Sequence, residues 1–167
     1  ERFSVSVPPG EELAPPAWVA EGMVRLALLR EGGLLEGEDA EVERLVARAR
    51  REPGAIMRLA EELIERDRTI EGIRLGFQLI QDGVPWTMRL ARVIYPYGYR
   101  ELFEREAREG GVETLLPAAL ARQESAFDPD IRSPANAVGL MQVIPSTGRQ
   151  VARAVGPPDF REELLEV

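Results

Sequence analysis

The sequence contains no cysteine, no histidine and no lysine. Each absence removes chemistry. Without cysteine there is no disulfide, no thiolate nucleophile and no cysteine zinc site. Without histidine the Ser-His-Asp and Cys-His machineries are gone, together with the commonest metal ligand. Without lysine there is no P-loop lysine and no Schiff base. Any acid–base work falls to Asp, Glu or Tyr. Long hydrophobic runs are missing too: Leu115 to Ala121 is among the longest apolar stretches, far short of the ~18–20 residues of a membrane span. The 21 cations, all arginine, are outnumbered by 29 acids, for a net charge of −8. The two signs are interspersed with no basic stripe, so nucleic acid is not an expected partner. No secretory leader is read at the start, which is not Met.

The 167 residues suffice for a buried core. Residues 1–16, with Ser4 to Val7 alternating before Pro8, Pro9 and Gly10 and closing on Pro15 and Pro16, read as an extended entry segment or linker. From Ala17 the period becomes helical. Trp18, Val19, Met23, Leu26 and Leu29 lead to Gly32-Gly33, and Val42, Leu45, Val46 and Ala49 lead to Glu52-Pro53-Gly54. Ile56, Leu59, Ala60, Leu63 and Ile64 form a third stripe; Ile70, Ile73, Phe77 and Ile80 form a fourth, stopped by Asp82-Gly83. Met88 to Ile94 ends at Pro96, and Tyr99, Leu102, Phe103 and Ala107 end at Gly110-Gly111. Short amphipathic helices on short turns predict an all-α fold: an α-solenoid-like segment over 17–95, then a second helical domain over 96–167.

The chemistry-bearing stretch is 112–155. Val112, Leu115, Leu116, Ala119 and Leu120 form a helical stripe, and continuing the row Leu116, Leu120 by four reaches Glu124. A carboxylate at the rim of an apolar face is partly desolvated, which raises its pKa toward that of a general acid. The plain alternative is a helix-end glutamate paired with arginine. Phe127 is a candidate wall beside it, and Pro129 ends the helix. Asp128 and Asp130 are the nearest further carboxylates, and their position around Pro129 reads as turn chemistry. Ser133 as N-cap and Pro134 at the first position predict a helix from there to Ile144, with Gly139 inside it at a cost of ~1 kcal/mol. Ser146 and Thr147 are candidate caps of the next helix, and Asp159 with Glu162 resembles a capping box.

Together these blocks carry a resemblance. Ala121-Arg122-Gln123-Glu124-Ser125-Ala126-Phe127, then Ser133-Pro134, Gly139-Leu140-Met141-Gln142 and Pro145-Ser146-Thr147 resemble, in order and spacing, the catalytic domain of soluble lytic transglycosylases. The resemblance implies a partial lysozyme-like α domain behind a superhelical segment. It implies cleavage of the β-1,4 bond between N-acetylmuramic acid and N-acetylglucosamine in peptidoglycan glycan strands, without water, to a 1,6-anhydro product. It implies no metal or organic cofactor, and a location in the periplasm or cell envelope. Glu124 is implied as the single catalytic residue, with Ser133, Gln142, Met141, Ile144 and Ser125 as candidate substrate contacts. Core packing is the alternative for Met141 and Ile144, and a local cap or turn bond for Ser133 and Ser125. Two departures stand out. Asn136 occupies a usual glycine position, which asparagine tolerates in a left-handed conformation. Nothing before Val167 matches the second half of the family's domain, which leaves Glu124 expected to be more exposed. The competing readings are a non-catalytic glycan- or protein-binding helical module and a hydrolytic lysozyme-type glycosidase using a second carboxylate ~5–9.5 Å away.

Overall fold

The computed structural model describes residues 16–156 and 159–165; the extended segment expected over 1–16 lies outside them but for Pro16. The fold is all-α: no strand forms among the described residues. Contacts divide the chain between Pro96 and Tyr97.

The first unit holds α1 (Ala17–Glu31), α2 (Leu35–Ala49), α3 (Pro53–Ile64), α4 (Thr69–Gln81) and α5 (Met88–Ile94), each packed on the next. Its core is aliphatic, with Leu45, Ile56, Leu59, Leu63, Leu79, Leu90 and Ile94 fully enclosed. Three of the helices stop by one device. After α1, α3 and α4 a residue in the left-handed region (Gly33, Asp67, Gly83) lets the next amide reach back five residues: Leu34 N to Leu29 O, Arg68 N to Leu63 O and Val84 N to Leu79 O, each at 2.9 Å.

The expected face of α4 needs correction. Ile70, Ile73 and Ile80 are half-buried and Phe77 is 43% exposed, while Gly72, Leu75, Gly76 and Leu79 face the core. The glycines are there for close approach. A Cβ on Gly72 would lie 2.4 Å from Ile64 Cγ1 and 2.7 Å from the Ala60 carbonyl, and one on Gly76 would lie 2.8 Å from Ile94 Cγ1.

Two glutamates of α2 are buried with guanidinium partners. Glu38 meets Arg30 at 2.8 Å and Arg68 at 3.3 Å. Burial opposes the charge on Arg68, but hydrogen bonds to Asp39, Glu71 and Glu38 outweigh it and raise its pKa further. Glu41 accepts from Arg44 at 2.6 Å and 2.7 Å and from Arg25 at 2.7 Å. The Arg44 bonds, helped by Arg25 and opposed by burial, hold the Glu41 carboxyl below the usual carboxylate range. A carboxyl more acidic in the folded state contributes stability above its unfolded pKa of about 4.3, lost as pH falls through the folded value. The urea midpoint of this unit, read by tryptophan fluorescence, is therefore expected to fall as pH drops below about 4.3. Glu41→Gln should flatten that slope; an unchanged slope would remove Glu41 from the acid response.

The second unit holds α6 (Arg100–Gly110), α7 (Leu115–Ser125), α8 (Pro145–Val155) and a 3-10 turn (Glu162–Leu165). Phe103, Ala118, Ala121, Phe127 and Leu140 form its small core, with Phe103 and Phe127 rings 6.2 Å apart. The helix expected from Ser133 to Ile144 does not form. These residues make a turn-rich excursion in which Val138 and Val143 exchange both backbone bonds at 3.1 Å. Ser146 and Thr147 lie inside α8, whose first turn is set by Pro145, with Ile144 at the N-cap. Glu162 does not complete a capping box on a full helix; its carboxylate takes Arg149.

Candidate active site

Glu124 stands in the last turn of α7, and its environment follows from how that helix turns. The helix buries its small-residue edge, Ala118, Ala121 and Ser125, while Ala107 and Phe103 of α6 are buried beside it. Small side chains let the two helices approach. The row expected to face inward, Leu115, Leu116 and Leu120, faces out, with Leu116 51% and Leu120 44% exposed. Glu124, one turn after Leu120, is exposed as well. The apolar rim is present, but in this chain it is open to water. No arginine pairs with Glu124: its carboxylate has no hydrogen-bond or ion-pair partner among the described residues. Arg100, Arg105 and Arg149 each hold another glutamate, leaving Glu124, like Glu101 and Glu109, unengaged among the described residues.

The backbone behind Glu124 is held firmly. Ser125 is 2% exposed and spends its hydroxyl on main chain. Its single proton is shared between the Ala121 and Leu140 carbonyls, each at 2.9 Å, and its oxygen accepts from Phe127 N at 3.1 Å. Ser125 therefore ties the end of α7 to the 139–142 turn and does not present a hydroxyl to solvent. Ala126 and Phe127 both have positive φ, 51° and 68°. Two successive non-glycine residues there cost free energy that the surroundings must offset. The Phe127 ring does so in the core, where it lies against Gly98; a Cβ there would come within 3.1 Å of Cγ. Sequence reasoning misses this strained corner, and only the pairing of a helix-ending Pro129 with a nearby aromatic hints at it. Asp128 accepts from Asp130 N at 2.9 Å, the turn role read from its neighbouring proline.

Gly139-Leu140-Met141-Gln142 is the tip between the bridged valines, not a helix segment. Gly139 (φ 73°) and Gln142 (φ 46°) are left-handed, and Gln142 N reaches Gly139 O at 3.0 Å. Leu140 is in the core. Met141 is 37% exposed. The Gln142 amide donates to Ile131 O at 3.0 Å and Gly139 O at 3.1 Å, closing the tip from beneath. Asn136 (φ 63°) adopts the left-handed conformation expected for it. Ser133 Oγ accepts from Ala137 N at 3.0 Å and Ala135 N at 3.2 Å, so it organises a turn instead of capping a helix. Ile144, 40% exposed, is the residue from which α8 starts. The structure thus brings the 139–142 tip against the end of α7 and sets Ser133 at the other end of the excursion.

A family model, the transglycosylase SLT domain, matches residues 101–167. That match covers about two fifths of the chain. The chain is 39% identical over 74 residues to a soluble lytic murein transglycosylase of Salmonella typhimurium, covering 43% of this chain and 12% of that protein. It is 42% identical over 53 residues to a membrane-bound lytic murein transglycosylase F of Alcanivorax borkumensis, covering 32% of this chain and 11% of that protein. In fold, the chain resembles the 70 kDa soluble lytic transglycosylase of Escherichia coli, with a TM-score of 0.71 and 22% identity over 99% of this chain and 26% of that one. An inactive glutamate-to-glutamine mutant of the lytic transglycosylase Slt of Pseudomonas aeruginosa gives a TM-score of 0.64 at 22% identity, covering 92% of this chain and 25% of that one. The chain therefore spans about an eighth of its curated relative's length (12%) and about a quarter of the solved one's (26%).

Proposed function

We propose that the SLT segment supplies the acid–base carboxylate of a peptidoglycan lytic transglycosylase, with Glu124 in that role. The observation that carries the reading is an exposed, unpaired carboxylate at the end of α7, on a backbone locked by Ser125 and flanked by outward-facing Leu116 and Leu120. Sugar rings seated on that apolar row would strip water from Glu124. Desolvation disfavours a charged carboxylate, so the acid form that can donate a proton is favoured once sugar is seated. As the acid, Glu124 gives its proton to the glycosidic oxygen, and the leaving N-acetylglucosamine departs with it. As the resulting carboxylate, Glu124 takes the proton of the C6 hydroxyl while that oxygen bonds to C1. The 1,6-anhydro ring closes, no water enters and the glutamic acid is restored. In this reading the exposed Met141 and Ile144 are apolar contacts for the glycan, while Ser125, Ser133 and Gln142 act by shaping backbone. Two related proteins are described as murein transglycosylases and one solved relative is inactive as a glutamate-to-glutamine mutant, which supports the reading. Peptidoglycan glycan strands are the partner and the periplasm or cell envelope is the location in this proposal. The membrane-bound relative leaves room for an attached form; among the described residues no helix is long and apolar enough to cross a membrane.

Digestion of purified sacculi followed by mass spectrometry tests it. Muropeptides lighter by one water than hydrolytic products are expected. Reducing-end products would replace this reading with a hydrolase, and no products at all would reduce the segment to a binding module.

A further inference from the structure

The first unit carries an open groove of about 660 Å³ lined by Arg50, just after α2, and by Arg74, Phe77, Gln78, Gln81 and Asp82 from α4 and its C-cap. Most arginines of this unit are engaged. Arg25, Arg30, Arg44, Arg58, Arg66 and Arg68 all hold carboxylates, and Arg48 lies over the Trp18 ring at 4.8 Å. Arg50 and Arg74 do neither: no partner engages them among the described residues. In a chain with 29 acids for 21 arginines, two free guanidiniums lining one groove are available for an anion from outside. Beside them sits Phe77, turned outward although its helix buries glycines instead.

We infer that this groove binds a short peptide with a free carboxylate, the chemistry of the peptide stems that peptidoglycan bears. Guanidinium forks match carboxylates in bidentate geometry. Gln78 and Gln81 each offer a donor and an acceptor, as a peptide backbone requires. Phe77 gives a flat apolar face for small side chains, and Asp82 accepts from an amine. Assigning the stem rests on the peptidoglycan reading above; the carboxylate-peptide chemistry rests on the groove alone. Such a site would hold murein by its peptides while cleavage proceeds on its sugars.

The test is a chemical-shift or calorimetric titration of the whole chain with stem tetrapeptide released from sacculi by an amidase, and with the same peptide amidated at its carboxylates. Saturable binding of the acid form is expected, weakened about tenfold or more in Arg50→Gln/Arg74→Gln, as losing two charge-assisted contacts implies. Arg51 and Arg92 likewise have no partner among the described residues but lie outside the groove, so Arg51→Gln/Arg92→Gln, with the same change in charge, is expected to bind like the parent. Equal binding of the amidated peptide, an equal loss in the Arg51/Arg92 control, or absence of saturable binding would each overturn the inference. Glu124→Gln should bind the peptide as the parent does, so failure of the groove and failure of the cleavage reading are separately visible.

Discussion

Glu124→Gln is expected to lower release of anhydro-muropeptides from sacculi by about 10³-fold. General acid–base catalysis contributes ~10²–10⁴-fold, and in the proposed mechanism one carboxylate performs both proton transfers, so the loss belongs toward the upper part of that span. Stability should be untouched, because the Glu124 side chain is exposed and holds no partner among the described residues. A circular dichroism melt superimposing on the parent would confirm that activity alone was lost. Asp128→Asn is the control. Its carboxylate oxygen fixes a turn by accepting from Asp130 N, and the asparagine amide oxygen can do the same, so most activity should survive. Equal loss in both variants would sink the one-carboxylate scheme and favour a two-carboxylate glycosidase.

Gly139→Ala is expected to be the most destabilising single-methyl change in the second unit. Two costs add. The left-handed backbone at φ 73° costs an alanine about 1–2 kcal/mol. The new Cβ would also lie 2.6 Å from the Leu165 carbonyl oxygen and 3.4 Å from that of Pro129. Backbone oxygens cannot swing aside like a side-chain tip, so overpacking adds about 1–3 kcal/mol. Gly111→Ala separates the two, since Gly111 has φ 66° and a Cβ placed on it would meet nothing within 4 Å; it should lose only the backbone part. Urea unfolding followed by far-UV circular dichroism, or hydrogen exchange at the Val138 and Val143 amides, reads the difference. Tryptophan fluorescence would miss it, because Trp18 and Trp86, the only two tryptophans, precede Pro96. Equal losses at the two glycines would mean that the 3-10 turn yields freely.

Helix positions in this chain are legible because glycine and proline punctuate them: Gly33, Gly83 and Gly111 sit at left-handed stops that glycine takes without a Cβ penalty. Asp67 performs the same service after α3 without advertising it. Which face each helix buries is less legible. Apolar periodicity looks for large side chains, whereas α4 and α7 bury Gly72, Gly76, Ala118 and Ala121 to bring backbones close, leaving Phe77, Leu116 and Leu120 outside. The stretch from Ser133 to Ile144 misleads for a different reason. A serine followed by proline is a valid helix start, but Asn136, Gly139 and Gln142 all take positive φ, and no helix passes through three such residues. Glu124 is legible as a candidate through its family blocks, and its position at the end of α7 follows from Pro129; its exposure depends on the outward leucines, which no spacing rule reveals.

The bond from Ser125 to residue 140 is made to a main-chain carbonyl, so it constrains the serine and the path of the chain but not the identity of side chain 140. The tip and the helix end behave as one block, and what lies between them is a tether. Pro134, Ala135 and Asn136, all exposed, sit at the far point of that tether. Lengthening a flexible loop costs only about 0.6 kcal/mol per doubling. Insertions at 134–136 should open the turn that Ser133 organises yet leave the Ser125–Leu140 bond and the carboxylate where they stand, so a reporter peptide can be grafted there.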